Sequence, residues 1–137
     1  MSELLTRTFL TALISGGLIA GVSLMFTALG ETISERAGVL NIGLEGMMLV
    51  GAYIGFVGAY YGHSFWVGFA AGIAGGAFAS LFMVVLCVRL GLDQIVVGIA
   101  ITLAGEGITS VLQDTQFGST YPRLGAPPTV AIPVGPS

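Results

Sequence analysis

Long stretches without a charged residue dominate this sequence and limit what it can fold into. No Asp, Glu, Lys or Arg occurs from Thr8 to Gly30 or from Gly46 to Val88. A helix needs about 20 apolar residues to cross a bilayer, and both stretches are at least that long. Charged residues make up only 8% of the chain, against about 25% in soluble domains. The sequence therefore predicts an integral membrane protein of α-helices and excludes a soluble enzyme or a disordered chain.

The uncharged stretches divide into four predicted membrane spans. A signal peptide is the alternative interpretation of the first, but the apolar run is too long and only one base, Arg7, precedes it. The second stretch is too long for one helix, and Gly62-His63-Ser64 is its polar break. The fourth span follows a short polar link at 89–93 and contains Glu106. The predicted spans cover about residues 9–29, 40–61, 65–88 and 94–112.

The fold class predicted is thus an all-α, polytopic, glycine-rich bundle over residues 1–112, followed by a loop over residues 113–137. All five prolines lie between Pro122 and Pro136, which favours a loop. Four spans place the N-terminus and this loop on the same side. The positive-inside count is a tie, with Arg36 and Arg89 on one face and Arg7 and Arg123 on the other. Arg36, in a predicted charged link at 31–36, and Arg89, in the next link, lie in tight links where the rule works best, which favours a cytoplasmic position for both links. The loop would then be extracytoplasmic.

Glycines recur at four-residue spacing in three of the predicted spans. Small residues at this spacing let helix backbones approach closely in lipid. Two interpretations stay open, tight packing within one bundle and a face for oligomerisation. The glycines concerned are Gly17 and Gly21, Gly51 and Gly55, Gly58 and Gly62, and Gly68, Gly72 and Gly76.

Two groups of polar residues interrupt the apolar spans. Glu106 lies about 9 Å from the end of the predicted fourth span, where a charge costs about 2.5–3.5 kcal/mol. Thr102 lies one turn before it, and both fit either a wetted stripe along a pathway or groups satisfied by a neighbouring helix. Asn41 and Glu45 are four residues apart among glycines. They fit either an unwound segment of the kind that forms transporter sites or an ordinary helix start at the interface.

Other chemistries find little support in the sequence. His63 and Ser64 are adjacent at a predicted turn with no acid beside them, and one His and one Cys cannot form a zinc site. With four Arg, no Lys and a net charge of −3, the chain has no basic patch for nucleic acid. No metal, cofactor or catalytic residue is predicted.

Two motifs resemble a known family. The run from Gly30 to Ala52 reads GETISERAGVLNIGLEGMMLVGA, and the run from Asp93 to Ala100 reads DQIVVGIA. Both are similar to segments of bacterial ABC-transporter permeases of the simple-sugar and nucleoside uptake branch. That branch is related to the ribose and branched-chain amino acid permeases. The resemblance covers nearly the whole chain.

The resemblance implies a permease subunit, not an enzyme, in the bacterial cytoplasmic (inner) membrane. Such a subunit imports a nucleoside or simple sugar with a second permease subunit, a cytoplasmic ATPase subunit and an extracytoplasmic substrate-binding (lipo)protein. The residues expected to line the pathway are Asn41, Glu45, Thr102 and Glu106. Those expected on the ATPase side are Arg36, Arg89 and Asp93. With no Lys for a phosphate-binding loop, the chain cannot itself be the ATPase.

The sequence departs from the family pattern in three respects. Family permeases are about twice as long and have two related halves, so this chain is expected to be an N-terminal half with a truncated loop. Glu106 stands where an apolar residue is expected, and Thr102 where Asn is expected. The alternative function is a small membrane scaffold or accessory protein that oligomerises through its GxxxG faces.

Overall fold

The computed structural model describes residues 2–118 and 122–125, with side chains from Thr6 onward. These residues form helices and connecting segments without a strand. All four long helical units are long and apolar enough to cross a membrane. The predicted all-α, four-span fold is therefore confirmed. The helices are α1 (Ser2–Arg36), α2 (Leu44–Gly62), α3 (Phe65–Met83), which continues as a π-helical segment (Val84–Arg89), and α4 (Gln94–Phe117).

The predicted charged link at 31–36 is wrong, because these residues are the last turns of α1. Residues 31–37 contain neither Gly nor Pro, and the next residue, Gly38, adopts a φ of 82°. A left-handed glycine is a common helix end because it has no Cβ to clash. The Val39 N–H then donates to the Ser34 carbonyl at 3.0 Å and closes the end of the helix. The charged residues at 31–36 mark the end of the apolar part of α1 and not the end of the helix.

The fourth helix also runs further than predicted, since residues 113–117 belong to α4 and not to a loop. This stretch contains neither Gly nor Pro, and α4 ends where Gly118 adopts a φ of 57°. Of the rest of the predicted loop, residues 122–125 are non-helical. Residues 119–121 and 126–137 lie outside the described part of the chain.

Glycines hold α2 and α3 against each other. A Cβ at Gly55 would lie 3.2 Å from the Gly68 carbonyl oxygen, and one at Gly58 would lie 2.6 Å from the Ala71 Cβ. Such distances leave no room for a side chain, so the two backbones are in direct contact. For these two helices the interpretation of the glycines as packing within one bundle is confirmed.

Helices α2 and α4 run parallel and also meet at glycines. A Cβ at Gly46 would lie 2.5 Å from the Ile101 carbonyl oxygen, and one at Gly105 would lie 2.8 Å from the Gly46 Cα. At the other end, the Phe117 ring packs edge-on against Tyr60, with ring centroids 5.4 Å apart. A small core of Met47, Ala79, Met83, Cys87 and Val97 lies towards the end of the bundle where α2 and α4 begin.

Helix α1 stands largely apart from the other three helices. None of the residues in its most apolar stretch is buried, and a Cβ at Gly17 or Gly21 would meet no atom within 4 Å. Near its C-terminal end, the Thr27 hydroxyl donates to the Met48 sulfur at 2.9 Å. The GxxxG pair of α1 therefore does not pack within the described chain.

Candidate functional site

An unwound segment, residues 37–43, connects α1 to α2. Asn41 lies in this segment, and Glu45 lies in the first turn of α2. The two residues therefore do not share one helix face, although a four-residue spacing within a continuous helix would place them on the same face. Because residues 37–43 are non-helical and α2 begins at Leu44, both interpretations of this stretch stay open.

The unwound segment lies alongside the first turns of α4. A Cβ at Gly43 would be 3.3 Å from the Gly98 carbonyl oxygen, and one at Gly46 would be 2.6 Å from the Thr102 Cα. At 1.5 Å per residue, Gly98 and Thr102 lie about 6 and 12 Å beyond the start of α4. Measured along the bundle axis, α2 thus begins beside the second and third turns of α4, and the unwound segment lies beside the first turns of α4.

Two side chains satisfy backbone groups that the unwinding leaves without helical partners. The Asn41 N–H donates to Glu31 Oε1 at 3.1 Å, and the Leu40 N–H donates to Gln94 Oε1 at 2.7 Å. Unpaired N–H groups are costly away from water, so these bonds fix the segment between α1 and α4. Sequence reasoning missed both Glu31 and Gln94. Their one available signal was their position, since Glu31 is the first residue of the predicted link at 31–36 and Gln94 is the first residue of the predicted fourth span.

Two acceptor oxygens beside the unwound segment have no donor. Glu31 Oε2 and Asn41 Oδ1 are both buried and accept no hydrogen bond from a described residue. The Asn41 amide itself donates to the Met47 sulfur at 3.6 Å. Buried acceptors without a donor are rare and usually have a functional or structural reason. They can accept hydrogen bonds from hydroxyl or amino groups that reach them.

Glu106 lies in the middle of α4. Because α4 extends to Phe117, the residue is about 17 Å from either helix end at 1.5 Å per residue. The helix thus extends further beyond Glu106 than the predicted span end at 112, and the depth of about 9 Å below that span end stays a prediction. The Glu106 side chain is exposed, next to Gly105, which contacts α2. A carboxylate at mid-membrane depth usually faces a cavity, water or a partner.

The threonines on the same stripe of α4 bond to their own helix. The Thr102 hydroxyl donates to the Gly98 carbonyl at 3.2 Å, and the Thr109 hydroxyl donates to the Gly105 carbonyl at 2.6 Å. Each hydroxyl oxygen keeps acceptor capacity. Glu45 is next to Gly46, which contacts Thr102, so Glu45 and Thr102 lie at the same level along α4. Glu106 lies one helical turn further from the start of α4. No hydrogen bond joins Asn41, Glu45, Thr102 and Glu106 to one another.

The three residues predicted for the ATPase side are exposed at one end of the bundle. Arg36 ends α1 and Arg89 ends the π-helical segment. Asp93 is the N-cap of α4, and its Oδ1 accepts from the N–H groups of Ile95 at 2.9 Å and Val96 at 3.1 Å. Asp93 therefore has a structural role at the helix start. Among the described residues, no group of His, Cys, Asp and Glu could hold a metal ion.

Four apolar helices and a polar, unwound connection define a multi-pass helical membrane protein. Residues 13–133 match the family described as "Branched-chain amino acid transport system / permease component". The chain belongs to this permease family, and the resemblance inferred from the two sequence motifs is confirmed.

Curated relatives carry transporter names. The chain is 44% identical over 114 residues to the "Putative glucose ABC transporter permease protein TsgC13" of Haloferax volcanii, covering 83% of this chain and 33% of the relative. It is 33% identical over 115 residues to the guanosine ABC transporter permease protein NupQ of Bacillus subtilis, covering 80% of this chain and 36% of that protein. It is 34% identical over 105 residues to the nucleoside ABC transporter permease protein NupC of Lactococcus lactis, covering 72% of this chain and 33% of that protein.

The chain spans about a third of the length of these relatives. All three are named as permeases and not as catalytic subunits. No solved structure matches the chain.

Proposed function

We propose that the chain forms part of the transmembrane pathway of an ATP-driven importer for nucleosides or simple sugars in the bacterial cytoplasmic membrane. The family membership supports a permease. The names of the relatives, which refer to glucose, guanosine and nucleosides, support the substrate class.

The observation that carries the proposal is the unwound, polar segment at 37–43, packed against a helix with a carboxylate at mid-length. Transporters commonly bind substrate near the bilayer midplane at interrupted helices. Sugars and nucleosides both present hydroxyl groups, which are hydrogen-bond donors. Glu31 Oε2 and Asn41 Oδ1 are buried acceptors without a donor, and Glu106 is an exposed acceptor deeper along α4.

In this proposal Asn41, Glu45, Thr102 and Glu106 line or gate the pathway. Substrate hydroxyls exchange their water partners for these side-chain oxygens as they move along the α4 stripe. Small residues at the α2–α4 contact permit the helices to shift by short distances without large side chains interlocking. Alternating access would change which end of the stripe is open.

The partners proposed are a cytoplasmic ATPase subunit, a second permease subunit and an extracytoplasmic substrate-binding (lipo)protein. Arg36, Arg89 and Asp93 lie at the end of the bundle proposed to face the ATPase. The segment from 113 onward would then lie at the extracytoplasmic side, where the binding protein docks. The scaffold alternative gains no support from the family or from the names of the relatives.

Uptake of labelled guanosine and glucose tests the proposal in cells that lack the native protein and express it from a plasmid. The full protein with Glu106→Leu should lose most uptake of whichever compound the wild type imports. Asp114→Asn, an exposed acid near the end of the same helix, should retain it. Normal uptake by the Glu106→Leu protein at equal membrane level would remove Glu106 from the pathway.

A further inference from the structure

A polar cavity lies at the end of the bundle where α2 turns into α3. Its volume is about 370 Å³, and residues 123–125 form one wall. Its polar side chains include His63, Ser64 and Arg123, together with the two neighbouring tyrosines, Tyr60 and Tyr61. None of the described residues that line it is acidic. The cavity thus combines a full positive charge with hydroxyl donors.

An apolar groove of about 430 Å³ continues from this cavity along α2 and α3. Phe56, Trp66 and Phe69 line it, and Gly55 and Gly68 leave its floor without side chains. The cavity and the groove share three lining residues, so they form one continuous surface. These shared residues are Ala59, Phe65 and Leu124.

The start of α3 adds to the positive character of the cavity. Ser64 is the N-cap of this helix, but its hydroxyl makes no capping hydrogen bond. The first N–H groups of a helix carry a partial positive charge and bind anions, phosphate in particular. Arg123, also at the cavity, favours the same kind of ligand, because guanidinium groups bind phosphate through paired hydrogen bonds.

The position along the membrane normal fits a lipid. The turn at 63–64 separates two membrane-spanning helices, so it lies at a membrane surface. Tyr and Trp side chains concentrate at this depth, where one end of the ring is apolar and the other is wet. Tyr61 and Trp66 flank the turn and are 62% and 78% exposed. The polar cavity is therefore at headgroup level, and the groove runs from it towards the acyl-chain region.

We propose that this surface binds one anionic phospholipid, with its phosphate in the cavity beside Arg123 and an acyl chain along the groove past Trp66. The match rests on charge complementarity at one end and apolar lining at the other. The inference is independent of the transported substrate. It makes Arg123 and Trp66 lipid-binding residues of this chain.

Native mass spectrometry of the full-length protein tests this site. The detergent-solubilised protein would be offered equal amounts of phosphatidylglycerol and phosphatidylcholine. Wild type should retain phosphatidylglycerol preferentially, and Arg123→Gln should lower that retention by about fivefold, equivalent to about 1 kcal/mol at 1.4 kcal/mol per tenfold. Arg7→Gln is the matched control, because Arg7 is exposed on α1 and outside the cavity. Equal retention by the Arg123→Gln and wild-type proteins would overturn the proposal.

A second pair of variants tests the groove. Trp66→Ala should lower phosphatidylglycerol retention, whereas Phe78→Ala, which removes an exposed ring of α3 outside the groove, should not. Inorganic phosphate as a competitor distinguishes a lipid site from a simple anion site. If phosphate displaces the lipid fully and Trp66→Ala has no effect, the cavity binds free anions and the lipid proposal fails.

Discussion

The contact between α2 and α4 at Gly46 gives the sharpest prediction about stability. In the Gly46→Ala variant the new Cβ would lie 2.5 Å from the Ile101 carbonyl oxygen and 2.6 Å from the Thr102 Cα. Ordinary van der Waals contact begins at about 3.4 Å, so the two helices must separate by about 0.9 Å. Both opposing atoms belong to the backbone, so no side-chain rotation can relieve the clash.

The magnitude follows from two opposing effects. Overpacking of this kind costs about 1–3 kcal/mol, and replacing a helical glycine by alanine returns about 0.5–1 kcal/mol. We therefore expect a net loss of up to about 2.5 kcal/mol, and about 1 kcal/mol at mid-range, in the free energy of unfolding. Gly107→Ala is the matched control, because Gly107 lies on α4 and a Cβ there would meet no atom within 4 Å. It should be neutral or slightly stabilising.

The assay is unfolding of the purified full-length protein in mild detergent, followed by circular dichroism, for wild type and both variants. The expected order of stability is Gly107→Ala at or above wild type and Gly46→Ala clearly below it. If the Gly46→Ala variant were as stable as the control, the close approach of α2 and α4 described above would be refuted.

Three further predictions concern polar side chains. Glu31→Ala removes the acceptor for the Asn41 N–H and should destabilise the protein by about 1–3 kcal/mol. Glu35→Ala, at an exposed position, is the control and should have little effect. Equal midpoints of thermal unfolding for the two variants would contradict the role of Glu31 in fixing residues 37–43. Asp93→Ala removes the α4 N-cap and should lower the free energy of unfolding by about 1 kcal/mol, whereas Asp93→Ser should keep most of the wild-type stability because Ser is also a good N-cap. If the Ser variant were no more stable than the Ala variant in the same assay, Asp93 would not stabilise α4 by capping it. Gln94→Leu should release the Leu40 N–H and increase hydrogen exchange at 37–43, and unchanged exchange there would count against this bond.

The number and type of helices could be predicted from the sequence because hydrocarbon does not accommodate charge. The residues at which the helices end could not be predicted in the same way. Residues 31–36 carry three charges and are still helical, since charged residues form helices as readily in water as apolar ones do in lipid. Likewise 113–117 is polar yet helical. The error at 113–117 also made Glu106 look closer to a helix end than it is.

The candidate site was predictable only in part. Glycines on either side of Asn41 and Glu45 indicated an irregular segment. Glu31 and Gln94 were missed because their partners are backbone N–H groups 10 and 54 residues away. Backbone donors have no sequence signature, so only the fold reveals which side chain satisfies them. Whether the polar side chains on α4 line a pathway stays a prediction.

Thiol labelling at mid-membrane depth tests that pathway most directly. In a full-length background from which every cysteine, including Cys87, has been removed, Glu106→Cys and Ile108→Cys place single thiols at nearly the same depth but on different faces of α4, since successive residues differ by about 100°. A hydrophilic, membrane-impermeant maleimide should label the thiol at 106 and not the one at 108, and the transported substrate should slow labelling at 106. Labelling at 106 as slow as at 108, with or without substrate, would contradict a water-accessible pathway along this stripe.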